Sequence, residues 1–277
     1  MPDTGFDTIQ TERRGEVLVI TLDRPDRLNA WTPHMSEELC TAIGDANAAA
    51  DIGAIVMTGG GRAFCAGADM RDTFSARLEG NDPGADTANG QGGMPAGLDW
   101  VAFCRGSKPL LAAVNGAAVG VGMTMVLPFD VILASPNAKF SMAFIKVGLV
   151  PELASTHFLV QRMGFGRASA MTLSGQMLSG ETAFASGLVD VLVEPDALVD
   201  QAVELATSIA ANPAPQLQMI KELFTANACE TDLDRVQSLE SKYLRQCWES
   251  PEHAEAVSAF LAKRPPQFPP RQAVGTR

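Results

Sequence analysis

Two glycine-containing stretches and one carboxylate have the residue types and spacing to do chemistry. The first runs from Lys108 to Gly122. A short apolar segment breaks at Asn115-Gly116 and then reaches Gly120-Val121-Gly122. This reads as a buried strand, a tight turn and a helix N-terminus leading an apolar helical segment. A helix N-terminus carries unpaired N–H groups and the positive end of the macrodipole, so it holds a phosphate, a carboxylate or a developing oxyanion. The same glycines also serve a purely structural strand–helix junction. The second stretch, Gly59 to Met70, follows an apolar strand candidate at 53–59. Its Ala66-Gly67-Ala68 either lets backbone approach a ligand closely or packs an ordinary βα loop. Two such loops, each leaving a strand, can aim two N–H groups at one carbonyl oxygen as an oxyanion hole.

The carboxylate is Glu152, within Val147-Gly148-Leu149-Val150-Pro151-Glu152-Leu153-Ala154-Ser155. Pro151-Glu152 has the form of a helix first turn. There an acid complements the helix dipole, worth roughly 0.3–1 kcal/mol. Buried in an apolar pocket it would instead have a raised pKa and act as a stronger base.

The elements that must position these groups follow from pattern. Glu16 to Asp23 reads as a strand, and Thr32-Pro33 opens a helix to about Ala50 with Thr32 as N-cap. Short apolar strands at 53–58, 110–114, 130–134 and 189–193 alternate with helical segments, which predicts βα units and an α/β fold. Helices are predicted at 195–211, 213–227, 231–248 and 251–263, so the chain divides into a core at 1–195 and a helical region at 196–268. Pro265 to Pro270 ends this order, and 269–277 is expected to fray. Residues 79–97, rich in glycine and acid, read as a mobile loop or a solvated linker.

Composition narrows the function classes. The 277 residues are 46% hydrophobic, enough for a sizeable core. A net charge of −11 argues against nucleic acid, which needs a basic face. No run has the length of a membrane span, and the first residues lack the pattern of a signal or transit peptide. The five cysteines, Cys40, Cys65, Cys104, Cys229 and Cys247, show no CxxC spacing, which fits reduced thiols in a cytoplasmic protein. His34, His157 and His253 show no metal-ligand spacing, so no metal is expected. Cys65 reads as a small apolar filler and His157 as a structural histidine, although His157 could face the Glu152 cavity.

Asp23 to Ala30, Gly61 to Asp69, Lys108 to Gly122 and Gly148 to Glu152 together resemble the crotonase superfamily, the enoyl-CoA hydratase/isomerase family. Thr172 to Val189 and Phe260 to Arg264 extend the likeness in family order, over about 8–268. The resemblance implies a spiral of ββα turns followed by a helical C-terminal region that forms trimers, often as a dimer of trimers. It implies an acyl-CoA thioester as substrate, with CoA part of that substrate and no other cofactor. Ala68 and Val121 match the two backbone donors of the oxyanion hole. Ala66, Ala68, Asp69 and Met70 match the wall around the CoA adenine. Arg27 and Leu28 match the loop that contacts the nucleotide and pantetheine. Phe260 and Lys263 match the C-terminal helix, which in the family often contacts the CoA of a neighbouring subunit. Arg27 and Lys263 are equally readable as solvated surface cations.

The resemblance also bears on the reaction. A hydratase activates water with one group and delivers a proton with another. The two glutamates usual in hydratases fall here at Thr124 and Phe144 of the acyl pocket, and neither is a carboxylate base. Gly148-Leu149-Val150-Pro151-Glu152, and Val119 to Thr124, are similar to the Δ3,Δ2-enoyl-CoA isomerase branch, where this glutamate is the acid/base. An isomerase needs one carboxylate and no water, and Phe144 and Phe158 would help to exclude water. The expectation is an isomerase using Glu152. The alternatives are an enoyl-CoA hydratase and an acyl-CoA-binding protein without turnover.

Overall fold

A computed structural model describes residues 5–70 and 98–274, so the glycine-rich 79–97 segment lies outside the described residues. Among the described residues ten strands form two sheets. In the first, β1 (Ile9–Arg14), β2 (Val17–Leu22), β3 (Ala54–Gly59), β5 (Leu110–Val114), β7 (Val131–Ala134) and β10 (Val191–Leu192) lie side by side in that order. Only β1 is antiparallel to its neighbour. In the second, β4 (Ala63–Cys65), β6 (Ala117–Val119), β8 (Lys139–Ser141) and β9 (Leu178–Ser179) follow in order, with β9 antiparallel. The pairs β3–β4, β5–β6 and β7–β8 each cross from the first sheet to the second. Successive pairs therefore stack as turns of a ββα spiral, the α/β architecture expected.

The central strands of the first sheet, β3 and β5, are buried on both faces, and alternation decides which face a residue serves. Ile20, Leu22, Ile55, Met57, Leu110, Ala112 and Ile132 face inward, toward α1 (Pro33–Ala48) and the second sheet. Val17, Val19, Ala54, Val56, Leu111 and Ala113 face the other way, onto α7 (Leu198–Ala210), which presents Leu198, Ala202, Ala206 and Ala210 at a four-residue interval. α7, the first helix of the 196–268 region, therefore packs directly on the first sheet. The start of α1 is as expected: the Thr32 hydroxyl accepts the Met35 N–H at 3.1 Å, and Pro33 stands in the first turn.

Four elements depart from the pattern. β1 (IQTERR) is a polar edge strand whose side chains are mostly solvated, so it carries no apolar alternation. β6 intervenes after Asn115-Gly116, and the helix that follows, α3 (Val121–Thr124), is only one turn long. The predicted strand at 189–193 pairs only over Val191–Leu192.

The remaining helices are α2 (Trp100–Gly106), α4 (Ser155–Met163), α5 (Phe165–Ser174), α6 (Gly180–Ala185), α8 (Ala214–Asn227), α9 (Leu233–Trp248) and α10 (Pro251–Leu261). α8 packs on α2, α9 on α8, and α10 on α9. A buried charge cluster fastens α8. Lys221 Nζ donates to Asp130 Oδ2 at 2.7 Å, while Arg105 Nη1 donates to Asp130 Oδ1 at 2.9 Å. Within the described residues the C-terminal segment is bonded to the core as far as Val274. Arg271 Nη2 donates to Glu16 Oε2 at 2.7 Å and to the Ala210 carbonyl at 2.8 Å, and the Val274 N–H reaches Asn47. The prolines before it remove N–H donors but leave this guanidinium to bond the core. Among the described residues no helix is long and apolar enough to cross a membrane.

Candidate active site

The loop after β4 is held flat against the segment before α1. The Trp31 N–H donates to the Gly67 carbonyl at 2.8 Å and the Trp31 carbonyl accepts the Asp69 N–H at 2.8 Å. In this parallel bridge Trp31 engages the residues on either side of Ala68, so the Ala68 N–H turns to the opposite side. The Ala66 N–H donates to the Leu28 carbonyl at 3.0 Å, which sets exposed Arg27 and half-buried Leu28 beside the same loop. Asn29 organises this corner. It is fully buried, its Nδ2 donates to the carbonyls of Gly60 and Ala63 at 2.9 and 2.8 Å, and its Oδ1 accepts the Arg24 N–H at 2.8 Å. Asp69 is buried as well, with Arg24 Nη2 3.2 Å from its carboxylate, while Met70 is exposed. Neither Asn29 nor the Arg24–Asp69 pair stood out in the sequence, where Asn29 was one polar residue in a family-like run.

The second loop meets the first through backbone contact. Gly120 takes φ +54°, which strains any residue with a β-carbon, and its N–H donates to the Ser141 carbonyl at 3.0 Å. Its carbonyl accepts the N–H groups of Met123 and Thr124, opening α3 and leaving the Val121 N–H in the first turn without an intrahelical acceptor. Gly122 lies directly against Cys65. The two loops that carry Ala68 and Val121 are thus brought together by the β4–β6 pairing and by this contact. Cys65 itself is fully buried, and burial pushes its thiol up to about 11, so it stays an unreactive filler.

Glu152 does not occupy a helix first turn. Leu153 and Ala154 adopt φ of +54° and +52°, and α4 begins only at Ser155, whose N–H donates to the Glu152 carbonyl at 3.0 Å. Two consecutive non-glycine residues in this region cost on the order of 1–3 kcal/mol each and persist only where the surroundings impose them. The result turns the Glu152 side chain away from a dipole-complementing role and onto α3. Thr124 Oγ1 donates to Glu152 Oε1 at 2.5 Å. Burial raises the Glu152 pKa to about 7, against a smaller opposing pull from the Thr124 hydroxyl. Thr124, expected as an acyl-pocket residue, is fully buried and bonded to the carboxylate. The family resemblance put both at the acyl site, but their hydrogen bond, between residues 28 positions apart, is seen only in the structure.

Phe144 is half-buried on the core, with its ring edge 3.9 Å from the place a Gly120 β-carbon would occupy. Phe158 packs on the same core, and the His157 ring meets it edge-on at 5.4 Å. Ala154, His157 and Phe158 line one wall of a cleft of about 600 Å³ that runs under α8. Cys229 Sγ lies 3.8 Å from His157 Nδ1 on that cleft, a proximity not visible in the sequence. Phe260 and Lys263 stand exposed at the end of α10, and the structure does not bury either against the Glu152 loop. His34 is grouped with Asp7 and Glu38, three side chains whose ligand atoms lie within 4.8 Å of one another. The Glu38 oxygens already accept the N–H groups of Asp7 and Thr8, so the group works as a clasp on the N-terminal segment.

Residues 12–271 match the family model described as enoyl-CoA hydratase/isomerase. The chain is 37% identical to 1,2-epoxyphenylacetyl-CoA isomerase of Escherichia coli over 91% of this chain and 94% of that protein. It is 32% identical to a probable enoyl-CoA hydratase of Rhizobium meliloti, over 95% and 98% of the two chains. Among solved structures, an enoyl-CoA hydratase from Polaromonas sp. JS666 superposes with a TM-score of 0.84 at 29% identity, covering 94% of this chain and 99% of that one.

Proposed function

The chain belongs to the enoyl-CoA hydratase/isomerase family, and we propose that within it the protein is an isomerase that converts 3-enoyl-CoA to 2-enoyl-CoA with Glu152 as its acid/base. The C2 proton of a 3-enoyl thioester is acidic because its loss gives a dienolate. Glu152 takes that proton, the C2 electron pair delocalises onto the thioester oxygen, and the proton returns at C4 as the double bond moves into conjugation. The N–H groups of Ala68 and Val121 receive the charge on oxygen. Atoms balance without water, and one carboxylate serves both transfers.

Glu152 carries this reading. It is a carboxyl raised to about 7 by burial, held by a strained turn against the one-turn helix that bears Val121. A base is most effective with its pKa near the working pH. Thr124 and Phe144, where hydratases place glutamates, offer no second base. The Escherichia coli relative is named as an isomerase of an acyl-CoA, although its named substrate is an epoxide and not a 3-enoyl thioester. Arg27, Leu28, Ala66, Asp69 and Met70 would bind CoA from the loop beside Ala68. Phe260 and Lys263 would do so from a neighbouring subunit of a trimer.

Enoyl-CoA hydration is the second reading, favoured by the names of relatives such as that of Rhizobium meliloti. Turnover of 3-enoyl-CoA and 2-enoyl-CoA by the wild type and Glu152→Gln separates the two. Formation of the conjugated thioester, lost in the variant while CoA binding persists, is the expected result. Hydration of 2-enoyl-CoA that survives the substitution would overturn the proposal.

A further inference from the structure

Thr124 has one hydroxyl hydrogen and two acceptors in reach. Glu152 Oε1 stands at 2.5 Å, and the Val121 carbonyl of its own helical turn at 3.5 Å. The side chain is fully buried, so water does not compete for it. A hydroxyl donates once and accepts through two lone pairs. With Glu152 ionised, the short contact is a charge-assisted O–H···O bond, the stronger kind. With Glu152 protonated, two arrangements are open. If the proton sits on Oε1, that oxygen donates to Thr124, and the threonine hydrogen must turn to the distant Val121 carbonyl. If the proton sits on Oε2, Thr124 keeps donating to Oε1 and nothing moves. The second arrangement retains the short bond in both ionisation states.

On the isomerase reading, we infer that Thr124 is a positioning residue that holds Glu152 Oε1 and thereby makes Oε2 the atom that carries the proton from C2 to C4. The two carbons of an allylic unit stand about 2.5 Å apart, from bond lengths near 1.5 Å. One oxygen held over both can take the proton at one end and return it at the other without rotation of the carboxyl group. A valine at position 124 would keep the volume but remove the hydroxyl that donates to Oε1. The bond would also be lost from the balance that sets the carboxyl's acidity, since burial and the Thr124 hydroxyl act on it in opposite directions.

The test uses Thr124→Val and Thr124→Ser in the full chain, with two readouts. The first needs no substrate: infrared difference titration of the Glu152 carboxyl, its band assigned by its absence in Glu152→Gln. Thr124→Val is expected to raise the titration midpoint by about one unit. The second is 3-enoyl-CoA turnover, where kcat is expected to fall roughly 10- to 100-fold with KM nearly unchanged. Thr124→Ser is expected to restore both. An unmoved midpoint in Thr124→Val, or a serine variant as impaired as the valine one, would overturn the inference. Thr124→Ala serves in the same role if the valine variant does not fold. Absence of isomerisation by the wild type, with the midpoint still moved by valine, would remove the isomerase reading and the proton-carrier role of Oε2. It would leave the hold on Oε1 standing.

Discussion

Gly122 packs so closely on Cys65 that a β-carbon at position 122 would stand 2.2 Å from the Cys65 carbonyl oxygen and 2.8 Å from the Cys65 β-carbon. Backbone on both sides leaves no flexible side chain to yield. Gly122→Ala is therefore expected to push α3 off the β4 loop and to separate Val121 from Ala68. Overpacking of this kind costs about 1–3 kcal/mol. If the Val121 N–H is an oxyanion donor, as proposed, its misalignment lowers kcat roughly 100-fold or more. Urea denaturation and steady-state turnover of the variant read the two effects, and an unchanged kcat would show that Val121 is not a donor.

Asn29 is the hinge of the other loop, with three hydrogen bonds made by one buried side chain at φ +52°. Asn29→Ala removes all three and puts an alanine where asparagine is better tolerated. At about 0.5–1.5 kcal/mol for each bond, the loss is expected to be about 2–4 kcal/mol. The carbonyl of the adjoining Leu28 holds the Ala66 N–H, so KM for acyl-CoA should rise as well. Denaturant midpoints and Michaelis constants check both parts.

Glu152 ties activity and stability to pH in opposite senses. Its pKa rises from 4.5 to about 7 on folding, so between those values the folded chain binds more proton than the unfolded one. Stability from this group is therefore undiminished below pH 4.5, declines as pH rises, and is lower by up to about 3 kcal/mol above pH 7. On the proposed mechanism Glu152 acts as a base only when ionised, so kcat should climb over the upper part of the same window. Glu152→Gln is expected to be more stable than wild type at pH 8 and closely matched to it near pH 4.5. Chemical denaturation at the two pH values measures this, and a stability difference that is the same at both would contradict it.

Asp130 bridges Arg105 and Lys221 in the cluster under α8, one carboxylate shared by two cations. Burial lowers the Lys221 pKa, and the carboxylate opposes that shift. Asp130→Ala leaves a buried ammonium with only the carbonyls of Cys104 and Lys108. Removal of one partner of a buried pair costs about 3–5 kcal/mol. Hydrogen exchange is expected to quicken first in 214–227, the span of α8.

Where a residue's fate depends on its neighbours in the chain, the sequence by itself determined the outcome. Thr32-Pro33 starts a helix because the cap hydroxyl reaches an N–H three residues on. Leu110 to Val114 is a strand because five apolar residues between Pro109 and Asn115-Gly116 are too few for a helix and must be buried. The glycine loops, the acid at 152 and the family were legible for the same reason, since each is a local string of residue types.

Tertiary structure decided the rest. The second sheet is made of strands of two or three residues, too short for any period to register, and exists only because the first sheet's strands deliver them side by side. Pro151-Glu152 has the local form of a helix start, yet packing holds Leu153 and Ala154 in the left-handed region and delays the helix to Ser155. That displacement turns Glu152 toward Thr124. A raised carboxyl pKa needs burial among residues from distant parts of the chain, and its hydrogen-bond donor comes from another turn of the spiral. Neither can be read from a chain in which the two residues lie 28 positions apart.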